Sequence, residues 1–334
     1  MTYAVCGVVG AVLLAVWVVS PAARPKKDVA GGHAVITGGS SGIGLSTAIA
    51  LAKKGAHVTI MARNAQKLAS AATKIRAARA NESQVVQTIP ADVQNQAAVT
   101  AAVTEAVANA GGKLDYLICS AGISEPRRFL DADLDSHKRV MDVNYLGVVN
   151  STRAVLPIMR KQRSGVLCFV SSAAGVVGLS GFTAYSASKF ALRGFAEALH
   201  MEVRPYNIDV VLSLPPDVDT PLLHAENVNK PPECRAISEG SPMMQPEAVA
   251  DLIVGSLEQP TFFGAIGMDS KLLTINSGGM APGASFSATL IDLFGAGLLR
   301  LVGIGYRWHW NRLVGGIYAK EDAAAGSSEG KKDK

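Results

Sequence analysis

Between residues 33 and 214, six short apolar runs alternate with helix-length segments, and this alternation limits the fold more than any other feature of the chain. The runs include HAVIT, HVTIMA and IDVVLSL, and such nearly continuous apolar runs are typical of strands that are covered on both faces. A helix-length segment between consecutive strands permits the right-handed crossovers that join parallel strands. The pattern therefore predicts an α/β fold with a doubly wound parallel sheet. No linker or internal repeat interrupts residues 30–277, which we predict to form one domain.

A glycine-rich turn, TGGSSGIG at residues 37–44, follows the first run. It lies between a predicted strand and a predicted helix, which is the setting of a Rossmann-type pyrophosphate site. Its glycines allow a tight turn and the close approach of a ligand, and the helix N-terminus supplies amides and a positive dipole end. A plain connection between strand and helix is the alternative. The predicted cofactor-binding residues of this turn are Gly38, Ser40, Ser41, Gly42, Ile43 and Gly44.

The ends of the second and third runs carry the residues expected to select the cofactor. An enzyme that uses NAD carries an acidic residue at the end of the second strand, where it binds the ribose hydroxyls. This chain has Ala62 there and then Arg63, whose fork of donors suits the 2′-phosphate of NADP(H). The alternative is a surface arginine that begins a helix. After the third run, Asp92 and Val93 are predicted to flank the adenine, with a helix N-cap as the alternative for Asp92.

The catalytic pattern is YSASK, in which Tyr185 and Lys189 are four residues apart and share one helix face. A lysine ammonium beside a phenol lowers the pKa of the phenol and prepares it for proton transfer near neutral pH. Ser172 follows the fifth run, where its hydroxyl can bond a substrate oxygen, and its neighbour Ser171 competes for that role. YxxxK alone is a weak signal. Combined with the glycine-rich turn, it predicts a carbonyl reductase that uses a nicotinamide cofactor.

The first 23 residues contain no charged side chain and are long enough, as a helix, to cross a bilayer. Arg24, Lys26 and Lys27 follow, and the positive-inside rule then places the rest of the chain in the cytosol. A cleaved signal peptide is the alternative, but its basic start and short apolar centre are missing. We therefore predict an uncleaved transmembrane anchor over residues 1–23.

Residues 278–320 form a second apolar segment, which Asp292 and Arg300 interrupt and in which Trp308 and Trp310 lie towards the end. Charges make a spanning helix costly, so an interfacial segment with its tryptophans at the headgroups is the preferred interpretation. A helix packed on the domain or on a partner subunit is the alternative. The polar tail, residues 321–334, is predicted to be disordered.

The charge pattern argues against one large class of function. The net charge is +5, yet no basic run is interleaved with aromatic residues, so no nucleic acid partner is expected. The four cysteines have no metal-ligand spacing, and no metal site is predicted. A mild basic excess suits an anionic cytosolic leaflet, and a membrane is the expected partner.

Over residues 33–222 the chain resembles the short-chain dehydrogenase/reductase superfamily, by TGGSSGIG, by Asn144 in VMDVNYLG, by Ser172 and by YSASK. The resemblance implies that Tyr185 is the general acid, that Ser172 orients the carbonyl and that Asn144 positions a water in a proton relay. It also implies that Lys189 tunes Tyr185 and holds the nicotinamide ribose.

The chain departs from the superfamily pattern in two places. It has Cys119-Ser120 instead of Asn-Asn after the fourth run, which puts a structural asparagine contact in doubt. It has Pro215-Pro216 instead of Pro-Gly after the sixth run.

The second departure lies in PPDVDTP, which together with GGMAP at residues 278–282 is similar to the 3-ketodihydrosphingosine reductases of this superfamily. This resemblance implies NADPH-dependent reduction of a long-chain keto-base lipid, 3-ketodihydrosphingosine, to dihydrosphingosine at the cytosolic face of the endoplasmic reticulum. It also implies that Val218 and Thr220 contact the nicotinamide carboxamide. The last four residues, KKDK, are similar to a dilysine retrieval signal, with a basic solvated tail as the alternative.

Two other functions are consistent with the same residues. One is a membrane-anchored member of the superfamily that acts on steroid or retinoid carbonyls. The other is a catalytically idle scaffold that binds NADP(H) at the membrane, although such a scaffold has no need of Asn144, Ser172, Tyr185 and Lys189 together. The sequence is also compatible with a homo-oligomer.

Overall fold

One sheet of parallel strands forms the centre of the molecule. The computed structural model describes residues 13–18, 20, 26–240 and 242–329. The strands are β1 His33–Thr37, β2 His57–Ala62, β3 Val86–Pro90, β4 Tyr116–Cys119, β5 Gly165–Val170, β6 Ile208–Leu214 and β7 Phe263–Ala265. Their order in the sheet is β3-β2-β1-β4-β5-β6-β7, and each neighbouring pair is parallel.

Helices cover both faces of this sheet. They are α1 Gly42–Lys53, α2 Ala65–Ala77, α3 Gln96–Asn109, α4 Leu134–Met141, α5 Gly147–Gln162, α6 Thr183–Val203, α7 Pro221–Val228, α8 Pro232–Ser238, α9 Pro246–Glu258, α10 Gly267–Ser277 and α11 Phe286–Glu329. Val35 of β1 packs in a core with α3, α5 and α6, whereas the next residue, Ile36, packs in a second core with α1, α2 and α9. Successive strand residues point to opposite faces, so each strand contributes to both cores. The predicted doubly wound parallel sheet is confirmed.

The strand order reverses beside β1, which has β2 on one side and β4 on the other. In open α/β sheets, ligands bind at such a switch point, outside the carboxyl ends of the strands. Thr37 at the end of β1 lies opposite Cys119 at the end of β4. The glycine-rich turn and the loops after β4 and β5 therefore start from the same edge of the sheet.

Two elements differ from the sequence prediction. The helix expected from Val140 to Arg160 is interrupted by a π-helical turn at Asp142–Leu146. A seventh strand, β7, pairs with the end of β6 and was not predicted, because its three residues, FGA, are too few to show a period.

The C-terminal region forms one helix of 44 residues, α11, which continues to Glu329. The predicted disordered tail is therefore wrong for residues 321–329. The helix α11 continues into this stretch without a break, and at the start of the stretch Arg128 Nη1 lies 2.6 Å from Glu321 Oε2, while the guanidinium of Arg128 stacks 4.4 Å from the centre of the Tyr318 ring. Within the described residues one helix is long and apolar enough to cross a membrane, Phe286–Ala324, with a mean hydropathy of 1.6.

The predicted N-terminal anchor falls mostly outside the described residues. Of residues 1–23, residues 13–18 are helical, and Leu14, Trp17 and Val18 are exposed. The Ser20 hydroxyl donates a hydrogen bond to Thr289 Oγ1 at 3.2 Å, so the chain that follows this helix lies beside the start of α11. The dilysine-like tail also lies outside the described residues.

Candidate active site

A cleft of about 1240 Å³ opens at the carboxyl edge of the sheet. Most of the residues predicted from the sequence line this cleft, namely Gly38, Ser40, Ser41, Gly42, Ile43, Arg63, Asp92, Val93, Ser172, Tyr185, Lys189, Val218 and Thr220. Gly44 and Asn144 do not line it, and both support it from behind. Residues that are far apart in the chain thus meet in one cavity.

The glycine-rich turn is shaped by close backbone contacts. Gly38 and Gly42 have φ angles of +69° and +52°, a region that favours glycine. A Cβ on Gly38 would lie 2.7 Å from the amide nitrogen of Ala121, and one on Gly44 would lie 2.5 Å from the carbonyl oxygen of Gly38. No side chain caps the N-terminus of α1, and its first turn holds no acidic residue. Its amides therefore face the cleft as an anion site, and the cradle fits a pyrophosphate.

Two cations lie at the adenine end of the cleft. Arg63 is exposed at the rim, and Lys67, one helical turn later, lines the same cleft. Asn64 begins α2 by accepting a hydrogen bond from the Lys67 amide at 2.9 Å. The cap is therefore Asn64, and Arg63 stays available to a ligand. Lys67 was not predicted from the sequence, although a second basic residue four positions after Arg63 was a usable signal.

The loop after β3 also reaches the cleft, through Asp92 and Val93. Asp92 Oδ1 accepts a hydrogen bond from the Gln94 amide at 3.0 Å, while the N-cap of α3 is Asn95, which accepts from the Ala98 amide at 3.1 Å. The alternative interpretation of Asp92 as the helix N-cap is therefore wrong.

Asn144 holds the wall of the cleft together from inside the π-helical turn. Its Oδ1 accepts from the Ile123 amide at 2.8 Å, and its Nδ2 donates to the Ile123 carbonyl at 2.9 Å and to Ser188 Oγ at 3.0 Å. It thus ties the loop after β4 to the helix that carries Tyr185. Turns of this π type recur at functional sites.

The unusual Cys119-Ser120 pair leaves this loop well anchored. Cys119 is buried, and the Ser120 amide donates to the Thr37 carbonyl at 3.1 Å. The Ala121 amide donates to Thr37 Oγ1 at 3.4 Å, so the carbonyl and the hydroxyl of Thr37 together hold the segment.

Tyr185 and Lys189 lie on α6 and both face the cleft. The Lys189 Nζ lies 5.5 Å from the centre of the Tyr185 ring and donates to the Val170 carbonyl at 3.0 Å. Ser172 lines the cleft at the end of β5, whereas the Ser171 hydroxyl donates to the Lys189 carbonyl at 3.3 Å. Ser171 is therefore occupied, and Ser172 is the better placed serine for a substrate oxygen.

The electrostatics of Tyr185 differ from the expectation. Burial raises the pKa of Tyr185, the negative charges of Glu226 and Asp217 raise it further, and a hydrogen bond with Ser172 opposes them. Lys189 does not reverse this shift: its ammonium donates to the Val170 carbonyl at 3.0 Å, and burial lowers the pKa of Lys189 itself to about 8. The phenol therefore stays protonated at neutral pH, which suits a proton donor.

Glu226 and Asp217 were not singled out from the sequence. Both line the cleft, and the ammonium of Lys230, which is almost fully buried, lies 2.9 Å from Glu226 Oε1 and 3.8 Å from Asp217 Oδ2. Lys230 also lies 5.4 Å from the ring centre of Phe182, which packs against Tyr185. Two carboxylates and one ammonium thus stand beside the tyrosine.

The segment after β6 closes the cleft over the glycine-rich turn. Thr220 Cγ2 would lie 3.1 Å from a Cβ on Gly42, so the two segments are in close contact. The Pro215 carbonyl accepts from the Ala173 amide at 3.0 Å, and Val218 forms a bridge with Met244. Val218 and Thr220 thus line the cleft, and Thr220 lies beside the pyrophosphate cradle.

Comparison with known proteins agrees with this geometry. The family model for the short chain dehydrogenases matches residues 32–231. Two solved structures share the fold with a TM-score of 0.63 each: a levodione reductase, 25% identical, covering 68% of this chain and 91% of its own, and a short-chain type dehydrogenase/reductase from Mycobacterium marinum, 27% identical, covering 70% and 90%. The chain therefore belongs to the short-chain dehydrogenase family, whose cofactor is a nicotinamide nucleotide.

Its curated relatives narrow the assignment. The chain is 43% identical to a 3-ketodihydrosphingosine reductase of Mus musculus over 93% of this chain and 94% of the relative. It is 40% identical to a 3-dehydrosphinganine reductase of Danio rerio over 94% and 95%. A 3-ketodihydrosphingosine reductase of Dictyostelium discoideum is 34% identical over 82% and 85%. Within the family, the chain groups with the 3-dehydrosphinganine reductases.

Proposed function

We propose that this protein reduces the ketone of 3-ketodihydrosphingosine to the alcohol of dihydrosphingosine, with NADPH as the reductant, in sphingolipid biosynthesis. The observation that carries the proposal is the meeting of Tyr185, Ser172 and the glycine-rich cradle in one cleft. The relatives of the chain, which it matches over nearly its whole length, bear the name of this reaction.

Each residue of the cleft has a separate role in the proposed reaction. Bound there, a reduced nicotinamide supplies hydride to the carbonyl carbon. Ser172 holds the carbonyl oxygen beside Tyr185, and the phenol of Tyr185 gives that oxygen a proton, so the ketone becomes a secondary alcohol. Lys189 and Asn144 both flank Gly122, since a Cβ there would lie 3.8 Å from Lys189 Nζ and 3.3 Å from Asn144 Oδ1. We assign to Lys189 the holding of the ribose, and to Asn144 a water in the relay that returns a proton to Tyr185. Since Asn144 Nδ2 already donates to Ile123 and Ser188, that water would donate to Asn144 Oδ1.

The charges at the adenine end favour NADPH over NADH. Ala62 offers no carboxylate to repel a phosphate, and Arg63 and Lys67 bring two positive charges to the same rim. A guanidinium binds a phosphate with paired, charge-assisted hydrogen bonds.

Arg63→Ala is expected to weaken NADPH binding by about 10- to 100-fold, because a charge-assisted hydrogen bond contributes about 1.5–3 kcal/mol. NADH, which lacks the phosphate, should bind the variant as it binds the original protein. Titration of both cofactors against tryptophan fluorescence measures the two dissociation constants. Lys74→Ala, on the exposed side of the same helix, is the matched control. Equal losses for NADPH and NADH would contradict the phosphate contact.

The cleft is also apolar enough for a long hydrocarbon chain. Leu272, Leu273 and Leu299 line it beyond the catalytic residues. Each buried methylene contributes about 0.8 kcal/mol, so a long chain gains more from such a lining than a short one.

A substrate panel tests the proposed function. We expect purified full-length protein in detergent to oxidise NADPH with 3-ketodihydrosphingosine at a kcat/KM at least about tenfold above that with steroid ketones or retinals, since a few methylenes suffice for such a ratio. A preference for a steroid or a retinal would favour the first alternative function. Binding of NADPH without turnover of any ketone would favour the scaffold.

We propose further that the enzyme works at the endoplasmic reticulum membrane with its catalytic domain in the cytosol. The charge-free residues 1–23, followed by Arg24, Lys26 and Lys27, support an N-terminal transmembrane anchor in this orientation. The long apolar helix α11 supports a second membrane contact. The expected partners are the lipid substrate and the membrane. Whether the protein also forms a homo-oligomer is measured together with the position of α11 below.

A further inference from the structure

The helix α11 is apolar on two opposite faces. Its inner face lines the cleft through Leu299, Gly303, Tyr306 and Trp310, which follow one another at intervals of four, three and four residues. Its outer face carries Phe294, Leu298 and Leu301, which are exposed to 72%, 68% and 66%. Because each residue turns the helix by about 100°, these two sets lie on opposite sides. An exposed apolar face of this size is normally covered by a partner or by lipid.

The second half of α11 is fixed across the mouth of the cleft. Arg307 Nη1 donates to the carbonyl of Gly178, a residue that lines the cleft, at 3.1 Å. Further along, Glu321 binds Arg128, whose guanidinium also lies 2.8 Å from Glu233. These contacts hold the inner face of α11 against the catalytic domain and leave the outer face uncovered.

The surroundings of the outer face point to lipid as its cover. The guanidinium groups of Arg307 and Arg312 lie 5.7 and 4.8 Å from the ring centres of Trp310 and Trp308. These residues lie where the apolar part of α11 ends, and tryptophan and arginine together at such a position are typical of the zone of lipid headgroups. At the other end, Thr289 contacts Ser20, which follows the apolar helical residues 13–18, of which Leu14, Trp17 and Val18 are exposed. Two exposed apolar helical segments thus lie next to each other at this end.

We propose that α11 forms a lateral portal: its outer face lies in the boundary between headgroups and acyl chains, and its inner face guides the hydrocarbon chain of a membrane-resident ketone to Tyr185. The inference rests on the proposed function, because it requires a substrate with a long chain. Exposing such a chain to water is unfavourable in proportion to its apolar area. Along the portal, the chain passes from lipid to an apolar protein wall, and the ketone alone enters the polar end of the cleft.

The experiment compares two homologous ketones, one held in vesicles and one dissolved in water. Full-length protein is reconstituted in phosphatidylcholine vesicles with NADPH, and turnover is measured with a long-chain 2-amino-3-ketone in the vesicles and with a short-chain, water-soluble homologue. We expect the double variant Leu298→Asp, Leu301→Asp to lose at least tenfold in turnover of the long-chain ketone and to keep its turnover of the short-chain one. Leu252→Asp, the same change at an exposed leucine of α9, should alter neither.

A second measurement reports where the outer face lies. A fluorophore attached to Leu298→Cys should be quenched by lipids that carry a doxyl group on the acyl chain, and one attached to Leu252→Cys should not, with the unsubstituted protein as the background. Full turnover of the vesicle-bound ketone by the double variant would overturn the portal. The portal would also be overturned if the label is not quenched, the protein is a dimer, and the double variant converts that dimer to monomers. A second copy of the chain would then cover the outer face. If the original protein reduces neither ketone, the proposed function fails as well; reduction of both ketones with no effect of the double variant refutes the portal alone.

Discussion

Tyr185→Phe is expected to lower turnover by about 10²- to 10⁴-fold, because it removes the only hydroxyl that we assign to proton donation and leaves the ring in place. The phenol stands in the cleft beside Ser172 and Lys189, and its ring packs at 5.3 Å on the ring of Phe182. That packing does not need the hydroxyl, so the fold and the affinity for NADPH should be unchanged. Steady-state kinetics with a saturating ketone, together with a cofactor titration, measures both.

Tyr206→Phe is the matched control for this variant. Tyr206 lies at the far end of α6 and accepts a hydrogen bond from Arg160 at 2.7 Å, outside the cleft. It should keep full turnover. Turnover in Tyr185→Phe close to that of the original protein would remove the proton-donor role, and an equal loss in Tyr206→Phe would show that the effect is structural.

Gly38→Ala is expected to destabilise the protein and to abolish measurable cofactor binding. The φ angle of +69° costs a residue with a Cβ about 1–2 kcal/mol. The added Cβ would also meet the Ala121 amide at 2.7 Å and the Ala121 Cα at 2.8 Å, and both are backbone atoms that cannot turn away. The turn would have to open, and its amides would leave the positions that a pyrophosphate needs.

Thermal unfolding and calorimetric titration with NADPH measure the two effects of Gly38→Ala. Gly255→Ala is the control, because that glycine lies inside α9 with nothing within 4 Å of an added Cβ. It should stabilise the protein by about 0.5–1 kcal/mol, since alanine is the better helix former. A Gly38→Ala protein with unchanged unfolding temperature and unchanged NADPH affinity would contradict the structural account of the turn.

The sheet and the pyrophosphate cradle were predictable because both follow from local patterns. Each apolar run marks a buried strand, and the carboxyl ends of parallel strands meet at one edge. The placement of TGGSSGIG and Ser172 at that edge therefore needs only the order of the strands. YSASK places Tyr185 and Lys189 on one helix face by spacing alone.

The rest depends on contacts between distant segments. Glu226 lies on α7, some forty residues after Tyr185, and no local pattern shows that its charge reaches the phenol. The direction in which the Lys189 ammonium turns is set by the Val170 carbonyl, which only the packed structure reveals. The ion pair of Glu321 likewise joins it to Arg128, nearly two hundred residues earlier in the chain.

The carboxylates beside Tyr185 have a consequence for the pH range in which this enzyme works. Oxidation of the alcohol would begin with the phenolate, and the charges of Glu226 and Asp217 keep that anion scarce at neutral pH. The same charges leave the forward step supplied with its proton. Because a catalyst speeds a reaction and its reverse alike, these charges do not choose the direction of flux, which the ratio of NADPH to NADP+ decides; the carboxylates instead extend towards alkaline pH the range in which the phenol is neutral.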